Sequence, residues 1–482
     1  MDISRLKVGI LHSLIGKNDG VSIVIDQTLK TMVKMMDIPL GNIFYLAGHS
    51  PPRLNTTLDD IFWHKNDQNK YIMDHYSETP PEGMEDYILE HALYAKKIIA
   101  EFIEENELDI FIAHNSCHPS NFIFAVAVGM YFEERRKEGI MLPRYLLWWH
   151  DSHFERRRFS QPNEVVAKYL KYIPGPDVDG IVFINSEQPE FGKKYLDAQK
   201  EGDSETYFKR KTCIIPNTCD IPWDWKITQD RGGPLIPPQD QYNKTFYKDI
   251  GLLDELEQKG YTIDDAVILL QHTRIVERKR IDIAIDYAVK LCEKFHEEGD
   301  KKCVVLLVSG HSGDEHDSYR DTLEDKFNQL KEENELVKKS VILNFGESHI
   351  LPSREVLVNR KFYAFGDIPS IVAASGGIGT YFSEVEGFGN NLLEMMAMSL
   401  PVVLNKYDIF KSDVEPLGFK FAAIEKCELN TKAIDQGYRY FSDEDFRAET
   451  IKHNLEVLEN MLSHSVLADQ LTPLIINLFK YK

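Results

Sequence analysis

The sequence predicts an α/β protein made of two doubly wound, Rossmann-like domains. Three observations predict it. Short apolar runs that end in Gly or polar residues alternate with amphipathic helical stretches along most of the 482 residues. The alternation breaks once, in a stretch rich in Gly, Pro and polar residues, and then resumes. The length is about three domains' worth at roughly 150 residues each, which also accommodates two large α/β domains.

In the first half the strand-like runs are Lys7–His12, Asp109–His114, Tyr145–His150, Gly180–Asn185 and Thr212–Pro216, with helical patterns such as Gly20–Met36 and Tyr87–Glu105 between them. Near-continuous apolar runs of this length suit parallel strands covered on both faces. The interruption falls between about Trp223 and Asp264, through WDWKITQDRGGPLIPPQDQYNKTFYKDIG. The second half resumes with Ala266–Gln271, a helical pattern over 280–298, then Cys303–Ser309, Val341–Phe345, Ile378–Phe382 and Pro401–Leu404. The expected organisation is a first domain over 1–225, a linker or elaborated loop over 226–263 and a second domain over 264–442. A helical tail over 443–482 is expected to pack back towards the first domain. Ligands of such sheets bind beyond the carboxyl ends of the strands, so the expected site is the cleft that two such domains form.

Composition excludes several classes of function. Hydrophobic residues are 43% and charged residues 28%, which fits a globular chain and not a disordered one. The net charge of −21 argues against nucleic-acid partners and adhesion to anionic membranes, while leaving room for a local basic pocket. The six cysteines are scattered with no C-x-x-C pair, which fits a reducing cytoplasm. The N-terminal apolar run is too short for a signal peptide core. The run Phe122–Phe132 falls short of the about 18 residues that span a bilayer and reads as a buried helix. The expectation is a cytoplasmic chain with no integral membrane segment; the sequence says nothing of oligomeric state. None of the sixteen histidines sits in an H-E-x-x-H spacing, so no protein metal site is expected.

The sharpest chemical signal is Tyr381-Phe-Ser-Glu-Val-Glu386-Gly387-Phe388-Gly389-Asn390-Asn391-Leu392-Leu393-Glu394. A strand runs into a Gly-containing turn, and a helix is expected to start at Asn390, a good N-cap residue. Gly387 and Gly389 let backbone N–H groups approach a ligand closely, and a helix N-terminus favours an anion such as a diphosphate. The carboxylates of Glu386 and Glu394 do not suit the phosphate; they suit sugar hydroxyls, which donate hydrogen bonds to them. Glu394, placed by this reading in the first helical turn, is otherwise a carboxylate favoured by the helix dipole. A second segment, Gln271-His-Thr-Arg274-Ile-Val-Glu-Arg-Lys279-Arg280-Ile-Asp, follows the first strand of the second domain. Arg and Lys at a strand end suit a leaving pyrophosphate that gathers charge, and whether Lys279 or Arg280 faces it stays open.

The first string resembles the E-x(7)-E signature of retaining glycosyltransferases with the GT-B fold, of the family 4 type. Glu386, Gly387, Phe388, Gly389 and Glu394 match at that spacing, with Phe382 standing where proline is usual. The resemblance implies that Glu386 lies beside the donor hexose, that Gly387, Phe388, Gly389 and Asn390 touch sugar and phosphate, and that Glu394 binds the ribose. Arg274 and Lys279 match the family's Arg-x(4)-Lys, with Arg280 replacing a usual glycine. Asp19-Gly20 partly matches a glycine-rich loop near the donor phosphate, and Ser309-Gly310 stands where a nucleotide base packs. In Trp148–Arg158 the resemblance places a histidine that reaches the donor hexose; His150 is the better match and His153 the alternative. Asn115, Asp151 and Arg156 are candidates for the acceptor side, whereas His118 reads as structural. Asn185 opens a helix, either as in the family or as an ordinary N-cap.

The activity implied is transfer of a hexosyl unit from a nucleotide-diphosphate sugar (UDP-, GDP- or ADP-linked) to an acceptor hydroxyl, with retention and an α-linkage. Small soluble acceptors such as glycerate derivatives are the class implied. The sugar nucleotide is a co-substrate; no cofactor is expected, and Arg274 and Lys279 stand in for a metal. The alternatives are a GT-B phosphorylase or epimerase, or a non-catalytic nucleotide-sugar-binding protein.

Overall fold

The computed structural model describes residues 1–16, 19–198, 212–312, 318–358 and 360–480. The chain divides into two compact units, Met1–Thr218 with His464–Lys482, and Cys219–Ser463.

The first unit is built on a seven-stranded sheet of order β3-β2-β1-β4-β5-β6-β7. Its strands are β1 (Val8–Leu14), β2 (Ile43–His49), β3 (Thr56–Leu58), β4 (Ile110–His114), β5 (Arg144–Trp149), β6 (Gly180–Phe183) and β7 (Thr212–Ile214). Neighbouring strands are parallel, with Leu11 opposite both Leu46 and Ala113. Successive side chains of a strand point to opposite faces. On β5, Leu146 and Trp148 therefore pack with one core and Leu147 and Trp149 with the other. This double covering explains why the runs are apolar without alternation. The apolar run at 122–132 is the buried part of the helix Phe122–Lys137.

The second unit is built on a six-stranded sheet of order β10-β9-β8-β14-β15-β16. Its strands are β8 (Ala266–Gln271), β9 (Cys303–Val308), β10 (Val341–Phe345), β14 (Ile378–Tyr381), β15 (Val402–Asn405) and β16 (Ala422–Ile424), all parallel to their neighbours. A small three-stranded sheet joins β11 (Ile350–Leu351), β12 (Glu355–Leu357) and β13 (Arg360–Ala364).

Two organisational expectations need correction. Residues 226–263, read as a linker, belong to the second unit: Phe246, Leu252 and Leu256 are buried in its core. The helices there, Trp225–Asp230, Phe246–Asp249 and Leu252–Gln258, are too short to show a helical period among the Gly and Pro signals. The tail is not one piece either. The helix Glu444–Leu462 buries Ile451, Leu455, Leu458 and Leu462 in the second unit. The helix His464–Lys480 buries Leu467, Leu471, Ile475 and Leu478 against the helix Gly20–Lys34 of the first. Among the described residues no helix is long and apolar enough to cross a membrane.

Candidate active site

In the second unit the site grows from the carboxyl ends of β8, β9 and β14. After β8 the chain passes so close to Gly310 that a Cβ there would lie 1.9 Å from the Thr273 carbonyl oxygen and 2.8 Å from the Arg274 nitrogen. Only glycine permits this approach. Ser309, expected at the donor, is buried and uses its hydroxyl on His272 Nδ1 at 2.8 Å, so its side chain shapes the strand end and is not offered to a ligand. Arg274 is exposed, and its side chain makes no hydrogen bond or ion pair among the described residues.

A single 3-10 turn, Glu277–Lys279, then carries two cations onto the loop after β14. The Glu384 N–H donates to the Arg278 carbonyl at 2.9 Å, which docks the turn against the loop. Arg278 Nη1 donates to Val385 O at 2.8 Å and to Glu386 Oε2 at 3.1 Å. Lys279 Nζ pairs with Glu386 Oε1, and the Tyr381 hydroxyl donates to the same oxygen at 2.9 Å. Burial pushes the Glu386 pKa up, but the charges of Lys279 and Arg278 outweigh it and hold the carboxyl at about 2. Burial presses the Lys279 pKa down while Glu386 raises it and Arg278 and Arg274 oppose it. Lys279 is thus the inward cation. Arg280 turns away, with Nε and Nη2 on Asp282 at 3.0 and 2.9 Å, and has a left-handed φ of 48°. That backbone conformation is the physical reason glycine is at home at this position.

Past Glu386 the loop exposes Gly387 and buries Phe388, whose carbonyl accepts from the Tyr407 hydroxyl at 2.6 Å. Gly389 has φ 118° and lies so close to Tyr407 that a Cβ would sit 2.5 Å from the hydroxyl oxygen. It is Gly389, not Asn390, that stands at the N-cap of the helix Asn390–Ala397, and no side chain caps that terminus. Asn390 is the first helical residue because only glycine takes the left-handed φ before it without strain. Glu394 is the fifth residue of the helix, beyond the first turn where it was expected, so the helix dipole does not account for it. Its Oε2 lies 3.4 Å from Asn391 Nδ2 and 3.6 Å from His272 Nε2. His272, stacked on Phe365 at 3.9 Å, went unnoticed in the sequence, where no spacing marks a buried histidine.

In the first unit, neighbouring strand ends bring three histidines together: His12 on β1, His114 on β4 and His150 after β5. His12 Nδ1 lies 3.2 Å from the His114 carbonyl oxygen, and His114 Nδ1 lies 2.9 Å from His150 Nε2. The His114 ring stacks on Trp148 at a centroid distance of 5.3 Å and lies beside the His150 ring at 5.2 Å. Burial holds the His150 pKa down at about 3 and that of His114 well below the ordinary value; both rings are neutral. His150 therefore stands in a constellation, while its alternative His153 packs at a tilt against Phe154.

Several first-unit expectations change. Asn115, with φ 58°, uses Oδ1 to accept from the His150 and Asp151 N–H groups at 3.1 and 3.0 Å, so it shapes the loop rather than facing an acceptor. Asp151 and Arg156 pair with each other, with Nε to Oδ2 at 2.6 Å. Gly20 opens its helix behind Asp19, whose carboxylate accepts from the Val21 and Ser22 N–H groups at 3.1 and 3.0 Å. The Asp19 carboxylate thus occupies the helix start that the glycine-loop expectation assigns to a donor phosphate; Lys17 and Asn18 of the same loop lie outside the described residues. Asn185 is an N-cap, accepting from Glu187 and Gln188 N–H. His118 also caps, accepting from Ser120 N–H at 3.1 Å.

No protein-family model matches the chain. Two curated relatives are each 25% identical and named mannosylglucosylglycerate synthase. The Thermotoga maritima protein covers 96% of this chain and 100% of its own length. The Petrotoga mobilis protein covers 92% of each. Among solved structures, a UDP-forming trehalose-phosphate synthase from Burkholderia xenovorans aligns with a TM-score of 0.63 at 10% identity, over 98% of this chain and 99% of its own. The Anabaena protein HepE, solved with UDP and glucose, aligns with a TM-score of 0.54 at 14% identity, over 98% of this chain and 100% of its own. The fold is GT-B. In GT-B terms, Arg274, Lys279, Glu386 and Glu394 stand together at the carboxyl edge of the second sheet, and the histidine trio stands at that of the first.

Proposed function

We propose that this GT-B chain is a retaining, metal-independent hexosyltransferase that uses a nucleotide-diphosphate sugar and forms an α-linkage to a small soluble acceptor. The observation that carries the reading is the exposed guanidinium of Arg274, unpaired among the described residues, near the Lys279–Glu386 pair. A free cation at a strand end suits a diphosphate whose charge grows as the sugar departs. Glu394 suits the ribose hydroxyls. Glu386 takes hydrogen bonds from Lys279, Arg278 and Tyr381, so it orients the hexose and is poorly placed to attack it. Retention then comes from a front-face displacement in which the departing phosphate takes the acceptor proton.

The name of the two relatives supports a narrower form: transfer of a mannosyl unit to glucosylglycerate. The test is a thermal-shift and transfer screen of GDP-, UDP- and ADP-linked mannose and glucose, with glucosylglycerate as acceptor, with and without a chelator. A ligand that binds only the native state raises the melting temperature. The reading expects one base to shift melting and support transfer that survives chelation. Absence of any shift and any transfer would refute it.

A further inference from the structure

We infer that Glu155 is a positioning residue: with Gln188 it forms a clamp that holds the backbone of His150 and so fixes where that residue stands at the end of β5. What the clamp does for turnover rests on the transferase reading above, in which His150 serves the donor; the clamp itself does not. β5 ends at Trp149, so the sheet ladder no longer holds the next peptide. Both backbone polar groups of His150 bond side chains instead. Its N–H donates to Asn115 Oδ1 at 3.1 Å, and its carbonyl accepts from Gln188 Nε2 at 3.0 Å. Gln188 is buried, and the network fixes which way its amide points. Its Oε1 accepts from the Ile184 N–H at 2.9 Å, and a flipped amide would set two donors against each other there. The same Nε2 also donates to Glu155 Oε1 at 3.2 Å.

Glu155 closes the clamp. Its Oε2 accepts from Trp149 Nε1 and from the Ser152 hydroxyl, both at 2.8 Å. Trp149 precedes His150, Ser152 follows it, and Gln188 opens the helix Gln188–Ala198 after β6, the strand beside β5. One carboxyl thus gathers donors from both sides of His150 in the chain and from the neighbouring connection. Three donors converge on it, a pattern that a carboxylate satisfies and an amide cannot. An amide in its place would turn its own NH₂ towards either Gln188 Nε2 or Trp149 Nε1, and neither of those can accept. Burial and then Asp151 raise the Glu155 pKa, and the three donors work against both. Every contact of Glu155 named here is with the protein, so it acts through Gln188 and the His150 peptide.

The test uses the full chain labelled with ¹⁵N in its tryptophan and histidine rings, with Trp149→Phe and His150→Gln to assign the two signals. Glu155→Gln is expected to shift both the Trp149 indole N–H and the His150 ring. Gln188→Met is expected to shift the His150 ring more than the indole. Asn163→Ala removes a helix cap in the same unit and serves as the stability control; it is expected to shift neither. Turnover is then measured with the sugar nucleotide that the screen above selects. Glu155→Gln and Gln188→Met are each expected to lower kcat about tenfold or more and to hold KM for the sugar nucleotide within about threefold, the pattern of a misplaced group with binding intact. Asn163→Ala is expected to lower the melting temperature and to hold kcat within about twofold. A His150 ring that neither variant moves, or a kcat loss no larger than that of Asn163→Ala, would overturn the inference. If Glu155→Gln fails to fold, Gln188→Met decides both points. If the native chain transfers no sugar, the transferase reading fails, and the ring signals still decide whether the clamp holds His150.

Discussion

Lys279 and Glu386, 107 positions apart, meet as a buried ion pair, and Arg278 and Tyr381 close on the same carboxylate. Each taken singly suits a different part of a sugar nucleotide. Together they satisfy one another, which leaves Arg274 as the cation with charge to spare. The pair fixes where Glu386 stands, and in the proposed function Arg274 supplies the field.

Removing one member should cost stability. Breaking a buried pair from one side typically costs about 3–5 kcal/mol because the other charge is left uncompensated, and Arg278 will soften this for Glu386. Lys279→Met and Glu386→Gln should each destabilise the second unit by about 3 kcal/mol in urea unfolding. The double variant should lose less than the sum by at least about 1 kcal/mol. Additive losses would mean the pair does not form.

Arg274 should behave in the opposite way. It is exposed and unpaired among the described residues, so Arg274→Ala should leave the melting temperature unchanged while turnover falls about 10²-fold or more, the scale of losing one electrostatic donor to a developing anion. Near-native turnover would remove Arg274 from the phosphate site.

Glu394→Gln keeps the shape of the side chain and, in the proposed function, weakens charge-assisted bonds to the ribose, each worth about 1.5–3 kcal/mol. Affinity for the free nucleoside diphosphate and for the sugar nucleotide should fall together, by about tenfold or more. Calorimetry showing unchanged nucleotide binding would confine Glu394 to its contact with His272.

Acid should reach the first unit before it reaches the Glu386 pair. Burial lowers the pKa of His150 to about 3 and of His118 and His153 to about 4, from the ordinary 6.5. The unfolded chain therefore binds these protons first, so their contribution is flat above pH 6.5 and stability falls as pH drops from there towards 4. For Glu386, folded at about 2 against 4.5 unfolded, the loss runs only from pH 4.5 downwards. Unfolding followed separately in each unit should show the first losing stability already between pH 6.5 and 5. His153→Leu should lessen that slope; an unchanged slope would mean His153 titrates normally.

Much of this was legible in the sequence. The strands β8, β9, β14 and β15 could be read because parallel strands covered on both faces are plain apolar runs. Arg274, Lys279, Glu386 and Glu394 could be marked because each lies at a fixed offset from a strand end or a helix start. Tertiary structure decided the rest. Whether Lys279 or Arg280 faces inward depends on a left-handed φ of 48° at Arg280, which the residue type does not announce. Lys279 answers to Glu386 because β8 lies beside β14, and the three histidines meet because β4 lies between β1 and β5. Strand order is set by how whole faces bury one another, and a local period cannot carry it. For the same reason Phe246, Leu252 and Leu256 looked like loop residues, and the break at Ser463 went unseen: their apolar faces acquire meaning only against the units that cover them.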